Sequence, residues 1–214
     1  MIASQHLLPF LLTCLVIIPA PGPSVLFTIA RAVAWGRKVA FLTVLGNAIG
    51  MLLLAGVVAG GLGPLIQQSK LVYALIQWLG GLYLAWMGVD AIRHRVVAAN
   101  EMANMGADAP SSLATLRQGF IVGVLNPKVV VFFAAILPHY VDPELGSVWR
   151  QLFTLGAIFC ALAVVSDGTY GLLAGTAREW LSANPQRLVA LRVIGGGVMI
   201  ALGASITFTA PLPW

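Results

Sequence analysis

Lys128 and Asp167 are the only ionisable side chains placed well inside the long apolar runs of this chain. A charge held in lipid is costly and as a rule functional. An aspartate at that depth can carry a proton or hold an ammonium group. A lysine there can attract a carboxylate or bias the aspartate's protonation. The two can instead form a structural ion pair between neighbouring helices, and the sequence leaves both readings open. Asn47 lies at similar depth and can hydrogen-bond a substrate or a packed helix. Tyr170 and Gly171 follow Asp167 at i+3 and i+4, on the same face of a helix.

Two proline breaks lie in the same layer. Pro21-Gly22-Pro23-Ser24 and Asn126-Pro127-Lys128 each interrupt an apolar run. Proline removes a backbone donor and clashes with the preceding turn. Lipid cannot solvate the freed carbonyls, so such a break persists only inside protein or beside a wet cavity. Gly22 and Asn126 suit an N-cap, with Pro23 and Pro127 at the first helical position. Each break is expected to restart a half-helix whose free N–H groups favour a carboxylate. The plainer alternative is that the prolines only kink helices for packing. The candidate substrate-binding set is therefore Pro21, Gly22, Pro23, Ser24, Asn47, Asn126, Pro127, Lys128, Asp167 and Tyr170.

These residues need a membrane to position them. The chain has 214 residues, 59% hydrophobic and 9% charged. A soluble domain carries about 25% charged residues. Six stretches reach the length of a span: roughly 7–30, 40–62, 71–89, 119–137, 152–174 and 193–208. None alternates like a strand, so the expected class is an all-α integral membrane protein with six transmembrane helices. The first 19 residues look slightly like a signal peptide but lack a basic start and an A-x-A exit, so they read as half of a retained helix. The expected organisation is a three-helix unit over 1–95, a cytoplasmic linker over 96–116 and a second three-helix unit over 117–214.

Charge sets the orientation. Arg31, Arg37, Lys38, Arg93, Arg95, Arg117, Arg178, Arg187 and Arg192 follow helices one, three and five; Lys70 and Arg150 lie on the other side. This asymmetry predicts that those loops are cytoplasmic and both termini outside. Trp35, Trp149, Trp180 and Trp214 fall near the expected interfaces. The excess of 12 Lys/Arg over 7 Asp/Glu is dispersed between apolar runs, which argues against nucleic acid as a partner.

The halves resemble one another. Gly22-Pro23-Ser24-Val25 aligns with Asn126-Pro127-Lys128-Val129. Gly80, Gly81 and Gly88 align with Gly195, Gly196 and Gly203 at identical spacing. Three helices per half is an odd number, so the second half must be inverted, a transporter design. Gly46/Gly50, Gly56/Gly60 and Gly171/Gly175 have the spacing of close helix packing, and one such pair could face a second copy in a homodimer.

Other chemistries find no support. Cys14 and Cys160 read as buried thiols without a disulfide, and His6, His94 and His139 are too scattered for a metal centre. Gly60-Gly61-Leu62-Gly63 lacks the Lys-Ser/Thr of a phosphate loop. No nucleophile–base set appears, so no enzyme and no cofactor is expected.

Pro21-Gly22-Pro23, Gly80-Gly81-Leu82-Tyr83-Leu84 with Gly88, and Asn126-Pro127-Lys128 resemble the LysE/RhtB family of bacterial amino-acid exporters. The likeness extends over nearly the whole chain. It implies a multi-pass protein of the bacterial inner membrane that exports an amino acid or close derivative against protons, with membrane lipid around it. Asp167 is similar to an acidic position of the family's fifth helix. Two other readings stay open. A cation or metal exporter would want several carboxylates or histidines in the spans, and a non-transporting scaffold would want more chain outside them.

Overall fold

The computed structural model describes residues 4–68, 70–103 and 109–209. Met1, Trp214 and the stretch 104–108 of the expected linker lie outside the described residues. Ten α-helices follow in order among the described residues: α1 (Ser4–Ile17), α2 (Pro23–Trp35), α3 (Arg37–Gln68), α4 (Lys70–Arg93), α5 (Arg95–Ala103), α6 (Ser112–Val124), α7 (Pro127–Val131), α8 (Val148–Thr176), α9 (Arg178–Ser182) and α10 (Pro185–Thr209). Among the described residues there is no strand. Arg37–Gly61, Ser112–Tyr140, Val148–Thr176 and Pro185–Phe208 are long and apolar enough to cross a membrane. His6–Ile17 and Pro23–Trp35 are shorter apolar helices, on either side of the first proline break.

Backbone chemistry explains the ends. α2 stops at Trp35 because Gly36 turns to φ 83, a conformation that disfavours a Cβ. α6 starts where the Ser111 hydroxyl accepts from the Ala114 N–H at 3.3 Å. α7 is followed by a wide π-helical turn over Phe132–Ile136 and a tight 3-10 turn over Leu137–Tyr140. Phe132 stacks on Phe159 of α8 at 4.5 Å between ring centres, and Phe133 meets the same ring edge-on at 5.3 Å. Gln77 of α4 donates to the Ala135 carbonyl at 3.1 Å, covering an acceptor inside the irregular stretch.

Small residues let the helices approach. A methyl group at Gly46 of α3 would stand 2.2 Å from the Leu116 carbonyl oxygen of α6, and one at Gly123 would stand 2.2 Å from the Asn47 carbonyl oxygen. α4 and α10 meet the same way, Gly81 against Gly203 and Gly88 against Gly196. Gly171 and Gly175 pack against Ala40 and Arg37. A Cβ on Gly56 would meet the Phe153 ring at 3.8 Å, an ordinary contact, and one on Gly60 would meet nothing within 4 Å among the described residues, so neither shows the close backbone approach expected of this pair.

Three buried apolar clusters result among the described residues. Phe10, Met51, Phe132, Leu152 and Phe159 belong to one; Val25, Ile29, Ala174, Leu181 and Leu188 to a second; Leu84, Val131, Ala135 and Ile206 to a third. α5 and α9 both pack on α2 and α10, so they share one end of the molecule. All nine basic residues expected in the loops after helices one, three and five lie on helices; six sit within the first three or at the last residue of a helix, and Arg31, Arg117 and Arg192 sit well inside one. Arg31 is buried in α2, where it donates to Gln118 and Thr115 and stacks on Phe27 and Trp35. Arg117 is on α6 and Arg192 on α10. Leu8, Leu15, Val57, Leu79, Val165 and Leu173 point outward, as they would toward lipid.

Candidate substrate site at the helix breaks

The first break follows from proline arithmetic. In a helix the carbonyl of residue i meets the N–H of residue i+4. Pro21 and Pro23 lack that N–H, so the carbonyls of Ile17 and Pro19 lose their donors. Both are supplied from the second half of the chain. Lys128 Nζ donates to the Ile17 carbonyl at 3.1 Å, and the Tyr170 hydroxyl donates to the Pro19 carbonyl at 2.9 Å. Lys128 Nζ also donates to the Ala20 carbonyl at 2.9 Å, with a longer contact of 3.5 Å to Ile18. An ammonium group has three donors, and here they point at the carbonyl end of α1, where helix dipole and cation agree.

The second break sits beside the first. Asn126 caps α7 by accepting from the Lys128 N–H at 3.2 Å, and its amide donates to the Ser24 hydroxyl at 3.1 Å. Ser24, Asn126 and Lys128 are all buried. Gly22 N-caps α2, and a Cβ there would stand 3.2 Å from Lys128 Cε and 3.1 Å from the Met199 methyl. The missing side chain at Gly22 is the lysine's passage to the α1 carbonyls. Pro23 and Pro127 both open their helices.

Asp167 is 3% exposed on α8 and accepts from Asn47 Nδ2 of α3 at 3.2 Å. It makes no direct ion pair with Lys128, which is turned toward α1. Of the two readings left open, the ion pair between helices four and five has no direct contact behind it: the lysine braces the first break and the aspartate is bound to an amide. Asn47 Oδ1 is buried without a partner, and so is Thr28 Oγ1 on α2. Thr28 faces α8, its methyl 3.2 Å from where a Cβ would lie on Gly171. A buried polar atom without a partner calls for a ligand or water. Thr28 escaped sequence reasoning because a lone threonine in an apolar helix carries no motif. Among the described residues no group of three His, Cys, Asp or Glu side chains is placed to hold a metal ion.

Apolar helices of spanning length, outward leucines and two interrupted helices joined by buried polar side chains define a multi-pass membrane protein of the transporter kind. The chain belongs to the LysE type translocator family, whose profile matches residues 15–209. Members of this family are translocators and not enzymes. The chain is similar to an uncharacterized membrane protein of Vibrio cholerae, 31% identical over 91% of this chain and 95% of that one. A homoserine/homoserine lactone efflux protein of Salmonella typhimurium is 26% identical over 91% of this chain and 92% of its own. A threonine efflux protein of Escherichia coli strain K12 is 34% identical over 64% of this chain and 66% of its own. No solved structure matches.

Proposed function

We propose that the protein exports an amino acid across the bacterial inner membrane by proton antiport, through a site at the joined helix breaks. Its relatives include efflux proteins for homoserine and threonine, both small and zwitterionic. The observation that carries the proposal is buried Asp167, bonded to Asn47 at the junction where α3, α8 and the first break meet. A carboxylate there can exchange a proton for the ammonium group of a substrate. Asn47 Oδ1 and Thr28 Oγ1 are free to hydrogen-bond that substrate.

We read α1 with α2 as one broken span, and α6 with α7 and its irregular continuation as another. With α3, α4, α8 and α10 this makes six spans in two inverted units, both termini outside. The glycine contacts support the inversion. Aligning Gly81 with Gly196 and Gly88 with Gly203 turns the Gly81–Gly203 contact into the Gly196–Gly88 contact.

Proteoliposome counterflow with labelled amino acids tests the proposal. Purified protein should exchange at least one small neutral amino acid, and an imposed pH gradient should drive it uphill. Asp167→Asn should abolish the uphill component while exchange survives. Uphill transport by Asp167→Asn at the wild-type rate would remove the coupling role. No exchange with any amino acid would remove the function.

A further inference from the structure

Two cavities flank the break layer. One, of about 480 Å³, lies between α2, α4 and α10, reaches Pro23, and is lined by Met87, Asp90 and Arg192 with Glu101 of α5. The other, of about 450 Å³, lies between α1, the turn after α7, α4 and α10; it reaches Ile17 and is lined by Gln77, Leu202 and Ser205. In the register that lays Gly81 on Gly196, Met87 falls on Leu202, Asp90 on Ser205, Ala91 on Ile206 and Gln77 on Arg192. All eight residues line the two cavities, each pair divided between them. The cavities are thus one feature made twice, once by each half.

Their chemistry differs where the repeat does not constrain it. Asp90 and Arg192 in the first are Ser205 and Gln77 in the second, which also holds His139, Tyr140 and Thr13. Glu101 brings α5, which packs on α2 and α10, to the wall of the first cavity. Arg192, Asp90 and Glu101 line this one cavity, and the buried Nε of Arg192 has no hydrogen-bond partner. Asp90 Oδ1 is 2.9 Å from His94 Nδ1. Carboxylates beside a guanidinium match both ends of a zwitterion, the acids for the ammonium and Arg192 for the carboxylate. An amide and a hydroxyl hydrogen-bond the same groups without charge and hold them less tightly.

We propose that the Asp90–Glu101–Arg192 cavity is the cytoplasmic intake vestibule for a zwitterion, and the Gln77–Ser205 cavity its repeat-related release vestibule. The capture role rests on the exporter reading above. The charges set which face binds at low concentration; the direction of net flow still comes from the driving gradient.

Two measurements test this. In a background carrying Cys14→Ala and Cys160→Ala, Met87→Cys and Leu202→Cys are treated with an impermeant thiol reagent on right-side-out and inside-out vesicles. Met87→Cys should react only from the cytoplasmic face and Leu202→Cys only from outside. Reaction of both from one face, of neither, or with the faces reversed overturns the paired vestibules. In proteoliposomes of known sidedness, Asp90→Asn and Arg192→Gln should raise the half-saturation concentration at the cytoplasmic face at least about tenfold, the loss of one charged contact. The change at the outer face should stay below about twofold, about a third of that energy. Arg192→Lys, which keeps the charge, should recover most of the loss. Equal effects at both faces, or none, overturn the capture role. If the wild type exchanges no amino acid, the exporter reading falls and zwitterion capture with it, while the labelling still decides the vestibules.

Discussion

Lys128 and Tyr170 replace the donors that Pro21 and Pro23 take away, and that role yields a sharp expectation. Tyr170→Phe orphans one carbonyl and should cost about 1 kcal/mol. Lys128→Met orphans the carbonyls of Ile17 and Ala20 and should cost about 2–4 kcal/mol. Denaturant unfolding in mixed micelles measures both. Because Lys128 bonds to backbone and not to Asp167, adding Asp167→Asn should not restore Lys128→Met. Recovery of stability in that double variant would show the two charges to be a compensating pair. The residues of this layer were legible in sequence because charge and proline are rare in lipid. Their partners were not. The proline spacing names the orphaned carbonyls, but only the fold says which side chain from over a hundred residues away reaches them.

Elements were legible to different degrees, for physical reasons. Both breaks carry local signals, a cap residue followed by proline, and local chemistry decides them. The 3-10 turn after α7 carries a local signal in Pro138, which has no N–H to continue an α-helix, whereas the π turn before it has no such residue of its own. Glycine spacing states that a close approach is possible, not that a neighbour is present. Gly46 touches the α6 backbone, and no described residue lies within 4 Å of a Cβ on Gly60. Gly46→Val and Gly123→Val should each destabilise by at least about 1–3 kcal/mol, because backbone cannot yield without parting the helices. Size-exclusion profiles and thermal melting in detergent should show loss of the monodisperse peak. Gly60→Val should leave both unchanged. Unchanged melting of Gly46→Val would mean that α3 and α6 do not touch as described.

At the scale of the whole molecule the distribution of charge decides which way it faces. Arg37, Lys38, Arg93, Arg95, Arg178 and Arg187 fall at the junctions around α5 and α9, the two short helices that share one end of the bundle. Arg187 is held there over the Trp180 ring at 3.9 Å. The opposite end carries the Pro143–Leu145 turn, with Asp142 and Glu144 and few basic residues. Basic flanks are retained in the cytoplasm during insertion, whereas acidic ones contribute little. The burial of Arg31 and the cavity position of Arg192 weaken the loop count without reversing it, since the remaining excess still lies at one end. Three exposed positions report the outcome. In a cysteine-free background, Asn100→Cys on α5 and Asn184→Cys before α10 should resist an impermeant thiol reagent in intact cells and react once the membrane is opened. Glu144→Cys should react in intact cells. All three side chains are exposed, so a failure to label reflects the membrane and not burial. Labelling of Asn100→Cys from outside would invert the orientation, and would make the charged cavity an uptake mouth instead of an intake for export.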